Sequence, residues 1–236
     1  MNAIVISDVH LGSRHCRREA FERFLDRLPD GVTLILNGDT VDYRYRRMRP
    51  DHLASLERLA AESHRRPVVW VDGNHDENYR PPDPGAIQFA RSYAIGRQLY
   101  VQHGFYFDHI MPYHRLFIFA FRVMHGLRIR LGAEPMHVAQ YAKRWPVLYA
   151  VLRRNVMQNA IRYARTHGFA AVTCGHTHYA EIATVDGILY LNTGSWTETP
   201  SYAIVVADKA VTLHEIDEAT GAVRPELASF VKTAAS

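Results

Sequence analysis

Two packed mixed β-sheets with helices outside, an α/β architecture carrying a helical insertion, are what this sequence predicts, and three observations lead there. Through the first hundred residues short β-branched apolar runs alternate with amphipathic stretches, the βαβ pattern of a largely parallel sheet. After residue 180 apolar runs follow one another with only turns between them, as in antiparallel strands. Between His103 and Gly175, two long helical stretches stand where a strand would otherwise be due.

In order along the chain, residues 3–6 form a first buried strand. Residues 16–28 follow as an amphipathic helix with Ala20, Phe21, Phe24, Leu25 and Leu28 on one face, and Pro29-Asp30-Gly31 stops it. Strand 32–36, an arginine-rich turn over 44–49, a helix over 53–61 begun near Pro50-Asp51, and strand 68–71 complete the parallel series. A short helix is expected over 87–94 and a strand over 99–101. The insertion comprises helical stretches over 110–131 and 136–167, the second interrupted at Pro146. Strands over 182–185 and 188–191 flank Asp186-Gly187, a strong hairpin cue, and strands 202–206 and 211–216 flank Asp208-Lys209. The expected organisation is one domain over 1–220, a lid-like insertion over 105–168 and a C-terminal tail over 221–236.

The 236 residues suffice for one full core. Cys16 and Cys174 form no disulfide framework and lack zinc-knuckle spacing, which leaves them as core thiols. No apolar stretch reaches the ~20 residues that span a bilayer. No basic segment or cleavage site precedes the first strand, so the expected location is the cytoplasm, peripheral at the inner membrane surface. A charge of +4 and a pI of 9.1 suit an anionic partner.

Chemistry gathers where the apolar runs stop. The first strand ends in Ser7-Asp8-Val9-His10-Leu11-Gly12, the second in Asn37-Gly38-Asp39-Thr40-Val41-Asp42 and the third in Asp72-Gly73-Asn74-His75-Asp76. Residues 99–101 lead to His103-Gly104, and 170–173 to Gly175-His176-Thr177-His178. In open α/β sheets ligands bind at the carboxyl ends of strands. A lone Asp-x-His is weak evidence, but five strand ends delivering Asp, Asn and His are not. Oxygen and imidazole donors without thiolate suit Mn, Fe or Zn.

This ordered set resembles the calcineurin-like metallophosphoesterases over nearly the whole chain. The resemblance implies a four-layer αββα sandwich and two divalent metal ions, Mn foremost, with Fe or Zn as alternatives. Asp8, His10 and His178 would hold one ion, Asn74, His103 and His176 the other, and Asp39 would bridge them. His75 would be the catalytic group approaching the substrate phosphate, with Asp42 and Asp76 orienting imidazoles behind the ligands.

Within that superfamily the chain is similar to the UDP-2,3-diacylglucosamine hydrolases, pyrophosphatases of lipid A biosynthesis. The likeness rests on the first motif, the insertion after His103, Gln158-Asn159-Ala160 and Gly194-Ser195-Trp196-Thr197-Glu198. It departs at His75, where arginine is common in that family, and at Phe105, where an acidic residue is common. The implied substrate is lipid-linked or a nucleotide sugar, with Asp108, Arg154 and Asn159 as candidate head-group contacts. The apolar segment 116–121 would face acyl chains or a membrane surface; core packing or a homodimer contact is its alternative use. A DNA-repair-type nuclease or a general phosphodiesterase is the competing function. Nucleic acid is disfavoured because the insertion is apolar where a DNA surface would be polar and basic. A non-enzymatic scaffold of the same fold ranks last, since no ligand position is lost.

Overall fold

A computed structural model describes residues 2–42, 48–110, 115–133, 138–208 and 210–225; at 115–118, 120–122 and 138–139 it describes the backbone alone. β1 (Ala3–Ile6), β2 (Thr33–Asn37), β3 (Val68–Val71) and β4 (Gln88–Ala90) run parallel in one sheet. β5 (Tyr93–Ile95), β6 (Leu99–Val101), β7 (Ala171–Cys174), β8 (Ala180–Val185) and β9 (Ile188–Thr193) make the second, in the order β5-β6-β7-β9-β8. β10 (Tyr202–Ala207) returns to the first sheet antiparallel to β1, and β11 (Ala210–Glu215) pairs with β10, giving β11-β10-β1-β2-β3-β4. Both sheets are mixed. The late hairpins are antiparallel as expected, and one of them, β10-β11, completes the early sheet.

Alternation along the strands explains the layers, because successive side chains leave opposite faces. Ala3, Val5, Ile35, Val69 and Val71 meet Leu99, Val101, Ala171, Leu189 and Leu191 between the sheets. Their neighbours Ile4, Ile6, Leu34, Leu36, Val68 and Trp70 face outward onto α1 (Arg18–Asp26) and α2 (Pro50–Glu62). α1 presents Phe21, Phe24 and Leu25, each worth roughly 1.5–3 kcal/mol when fully buried. α2 starts with Pro50, whose missing N–H costs nothing in a first turn. On the far side Val172, Cys174 and Tyr190 pack against Val156, Ala160, Ile161 and Ala164 of the long helix over Pro146–Thr166. Helix, sheet, sheet, helix is the result.

Among the described residues, three helices lie between β6 and β7: α3 (Arg115–Arg130), α4 (Val138–Ala142) and α5 (Pro146–Thr166). α4 packs on α3 where Tyr141 stacks on His125, with centroids 4.6 Å apart, and beneath the Arg128 guanidinium at 5.0 Å. Among the described residues no helix is long and apolar enough to cross a membrane. The expected helix over 87–94 is instead β4 and β5. Val69 pairs with Gln88 and Tyr93 with Val101, so two open sheet edges capture a segment too short to hold a helix. Beyond β11 the described residues fold back onto the domain. Ile216 bridges Val223, Glu218 pairs with Arg17 of the segment entering α1, and Gly221 lies against the Arg23 backbone. Residues 43–47 and 226–236, and the side chains of Arg115, Leu116, Phe117, Ile118, Ala120, Phe121 and Arg122, lie outside what is described.

Candidate metal centre

Parallel β1, β2 and β3 of one sheet and β6 and β7 of the other end at the same edge, and their loops interlock there. Asp8, His10, Asp39, His176 and His178 all adopt left-handed backbone, with φ of 56°, 53°, 50°, 61° and 54°. Such conformations in non-glycine residues cost of order 1–3 kcal/mol each and cluster at functional sites. Two glycines make the approach possible without strain of their own. A Cβ at Gly73 would meet the Asp39 backbone nitrogen and Oδ1, and one at Gly175 would meet Asp8 Oδ2 and Ser7 Oγ.

Each aspartate uses one oxygen to fix a loop and turns the other inward. Asp8 Oδ2 accepts from Ser7 Oγ and from the His176 N–H, while Oδ1 is 3.1 Å from His178 Nε2 and 4.0 Å from His103 Nε2. Asp39 Oδ1 accepts the His75 N–H at 2.7 Å, while Oδ2 lies 3.3 Å from His103 Nε2 and 3.9 Å from both His10 Nε2 and His75 Nε2. His10 Nε2 and His178 Nε2 are 3.3 Å apart. His176 Nδ1 is 2.8 Å from Asn74 Oδ1. Among the described residues three donor groups have ligand atoms within 4.8 Å of one another: Asp8, His10 and His178; His10, Asp39 and His75; Asp8, Asp39 and His103.

These donors fit divalent cations. Asp8 Oδ1 and His103 Nε2 are buried and make no hydrogen bond, although buried polar atoms are normally paired. His103 Nδ1 donates to the Asn37 carbonyl at 2.8 Å, which turns Nε2 into the centre. Burial opposes charge on His103, but Asp39 and Asp8 overcome it and hold the imidazole up to about 10. Burial also opposes the Asp39 carboxylate, yet His103, His75 and His10 keep its pKa well below the ordinary value. Burial pushes His10 the other way, down to about 4. Without cations the cluster holds its own compensating charges.

His75 stands at the rim with Nδ1 2.9 Å from Asp42 Oδ1, so Asp42 orients this imidazole. Asp76 does not orient one. Its carboxylate accepts from the backbone N–H groups of Asp39, Thr40, Val41 and Gly73 and from Trp70 Nε1, which binds the β2 and β3 loops together. Burial and the neighbouring Asp39 raise its pKa to about 6. Asp108 points at the centre but is committed to protein partners, His176 Nε2 at 3.0 Å and the Ile110 N–H at 2.9 Å. Asn159 Nδ2 donates to the Phe107 carbonyl at 2.9 Å. Arg154 lies elsewhere, in an outer groove of about 370 Å³ with Gln158, Arg162, Arg165, Val185 and Asp186, because it projects from the opposite side of α5.

Several supporting residues escape sequence reasoning. Asn192 on β9 donates to the Gly175 carbonyl and to Thr177 Oγ1, Ser7 Oγ also meets Thr193 Oγ1, and Asn155 accepts the His109 N–H. Only Asn155 leaves a trace in the sequence, one helical turn before Asn159.

Two sheets, outer helices and a buried Asp/His cluster on five strand-end loops define a metallophosphoesterase sandwich with groups suited to two divalent ions. The chain belongs to the calcineurin-like phosphoesterase superfamily, whose domain it matches over residues 1–210. No curated protein matches it. Similar solved structures include the phosphoesterase Yfce from E. coli, 16% identical with a TM-score of 0.49, covering 97% of this chain and 99% of that one. Pseudomonas putida nuclease MPE is 20% identical with a TM-score of 0.45, covering 94% and 86%. Vps29 from Entamoeba histolytica, complexed with Zn²⁺, is 18% identical with a TM-score of 0.46, covering 95% and 96%.

Proposed function

We propose that the protein is a dinuclear-metal hydrolase of a phosphodiester or pyrophosphate bond in a lipid-linked or nucleotide-sugar substrate such as UDP-2,3-diacylglucosamine. The supporting observation is Asp39 Oδ2, which lies within 4 Å of imidazole nitrogens from both donor sets, His10 of one and His103 of the other. In this reading Asp8, His10 and His178 hold one ion, Asn74, His103 and His176 the other, and Asp39 spans both. Mn²⁺ suits the donors, with Fe or Zn as alternatives. When bound, such a pair supplies Lewis acidity toward a phosphoryl oxygen and makes water acidic enough to attack near neutral pH. His75, held through Nδ1 by Asp42, presents Nε2 to the same face and delivers a proton to the leaving oxygen. General acid catalysis of this kind contributes ~10²–10⁴ in rate.

The lipid-linked substrate is supported by the insertion. Residues 105–168 carry ten Lys and Arg against two acidic residues, whereas the rest of the chain carries eighteen against twenty-two. Phe119, Leu131 and Val147 expose 66%, 87% and 79% of their surface. An apolar groove of about 680 Å³ between α3 and α4, lined by Phe119, Val123, Met124, Leu127, Leu131 and Tyr141, has the volume of a small-molecule site. An apolar surface beside excess positive charge suits acyl chains carried on a phosphorylated head group, at the surface of a membrane.

The test is hydrolysis with Mn²⁺ across UDP-2,3-diacylglucosamine, CDP-lipids, bis-p-nitrophenyl phosphate, phosphomonoesters and DNA. Turnover of the diacylated nucleotide sugar above all others is expected. Asp39→Ala should abolish turnover, and His75→Ala should keep two metals per chain while losing ~10²–10⁴ in rate. Preferential cleavage of DNA would replace the substrate assignment, and an empty centre on metal analysis would overturn the reading altogether.

A further inference from the structure

We propose that Asp108 is a positioning residue that selects the metal-accepting form of His176, and that α5 holds Asp108 in place, which couples the insertion to the metal centre. The inference rests on the reading of His176 and Asn74 as ligands. It comes from a chain of contacts that begins outside the metal cluster.

α5 is firmly seated on the second sheet, with Val156 and Ala160 fully buried. On an adjacent face, one turn apart, Asn155 and Asn159 grip the loop after β6 from both sides of Asp108: Asn159 Nδ2 donates to the Phe107 carbonyl and Asn155 Oδ1 accepts the His109 N–H, each at 2.9 Å. Tyr149, at the start of the same helix, donates its hydroxyl to the Thr177 carbonyl, inside the loop that carries His176. One helix therefore fixes both partners of the Asp108–His176 contact. Asp108 itself is 4% exposed; its Oδ1 accepts the Ile110 N–H and its Oδ2 meets His176 Nε2.

The chemical consequence concerns the other imidazole nitrogen. A carboxylate accepts only, so the proton of neutral His176 resides on Nε2 and Nδ1 keeps its lone pair. Nδ1 faces Asn74 Oδ1 at 2.8 Å, another acceptor. For the neutral ring, two lone pairs turned toward each other leave a place for a cation, a metal ion or a second proton. Were the proton on Nδ1 instead, it would bond to Asn74 Oδ1 and satisfy the pair without metal. Asp108 thus removes the closed state of the neutral ring. An asparagine at 108 has one accepting oxygen and cannot serve both Ile110 and His176.

The experiment titrates EDTA-stripped full-length protein with Mn²⁺ by calorimetry and reads the His176 tautomer from ring ¹⁵N shifts in the metal-free state. In wild type, two equivalents and a proton on Nε2 are expected. Asp108→Asn should weaken one equivalent about 10–100-fold, leave the other in place and mix the tautomers. Asn155→Ala with Asn159→Ala should weaken that same equivalent, whereas Arg154→Ala should change neither. Wild-type affinities for both equivalents in Asp108→Asn, or a proton on Nδ1 in the wild type, would overturn the proposal. If Asp108→Asn does not fold, the Asn155/Asn159 double variant decides, and two unaltered equivalents there would overturn it. Fewer than two equivalents in the wild type would sink the ligand reading and this inference with it; two unaltered equivalents in the variants sink the inference alone.

Discussion

Asp39 and Gly73 show how tightly individual residues are fitted at the strand ends. The Asp39 backbone is left-handed, and the space that a Cβ at Gly73 would take is already filled by Asp39 itself. Gly73→Ala should therefore displace Asp39, destabilising the fold by about 1–3 kcal/mol and weakening Mn²⁺ binding together; thermal melts and calorimetry on one sample check both. His103 gives a pH signature to the metal-free protein. Its folded pKa, about 10, exceeds the ordinary 6.5, so its stabilisation is fully present below about 6.5 and is lost as pH rises through about 10. The melting temperature in EDTA should fall from pH 7 to 10, and His103→Gln should flatten that fall. The Asp and His residues that converge at the centre are legible because each stands where an apolar run ends. Asp76 was misread because a carboxylate does not announce its partners: nothing in the sequence reveals that four backbone N–H groups and an indole converge on it.

At the scale of elements, sequence reading succeeded where a pattern was long or punctuated, as in α1, α5 and the hairpin over Asp186-Gly187, and failed at 87–94. There the deciding force was pairing with β3 and β6, strands too distant for local periodicity to reveal. Arg154 is near Asn159 in sequence, but the offset of five residues carries it about 140° around α5. The insertion yields a sharp expectation for its exposed face. Leu131→Ser with Phe119→Ser removes apolar surface that is mostly in solvent, so the melting temperature should move by less than about 2 °C. If this face meets lipid as proposed, sedimentation with anionic liposomes and turnover of a diacylated substrate should both fall, while bis-p-nitrophenyl phosphate is cleaved at the wild-type rate. Equal loss of both activities would assign the face to packing.

For the whole molecule, the candidate centre is where the two sheets are tied together, since β1, β2 and β3 supply donors from one and β6 and β7 from the other. Cations held there should act as a clamp between layers. At a free Mn²⁺ concentration 100 times Kd the linkage contributes ~2.7 kcal/mol per site, which for a chain of this size corresponds to a rise of about 5–11 °C in Tm; melting with Mn²⁺ and with EDTA measures it. That late strands complete the early sheet has a temporal side. Ala3 of β1 finds its antiparallel neighbour in Val206 of β10. During synthesis at ~5–20 residues per second, roughly 200 residues must emerge before that partner exists. One flank of the founding strand therefore waits on the order of 10–40 seconds with its amides and carbonyls unpaired, the interval in which a nascent chain of this topology is most open to a chaperone or to a second copy of itself.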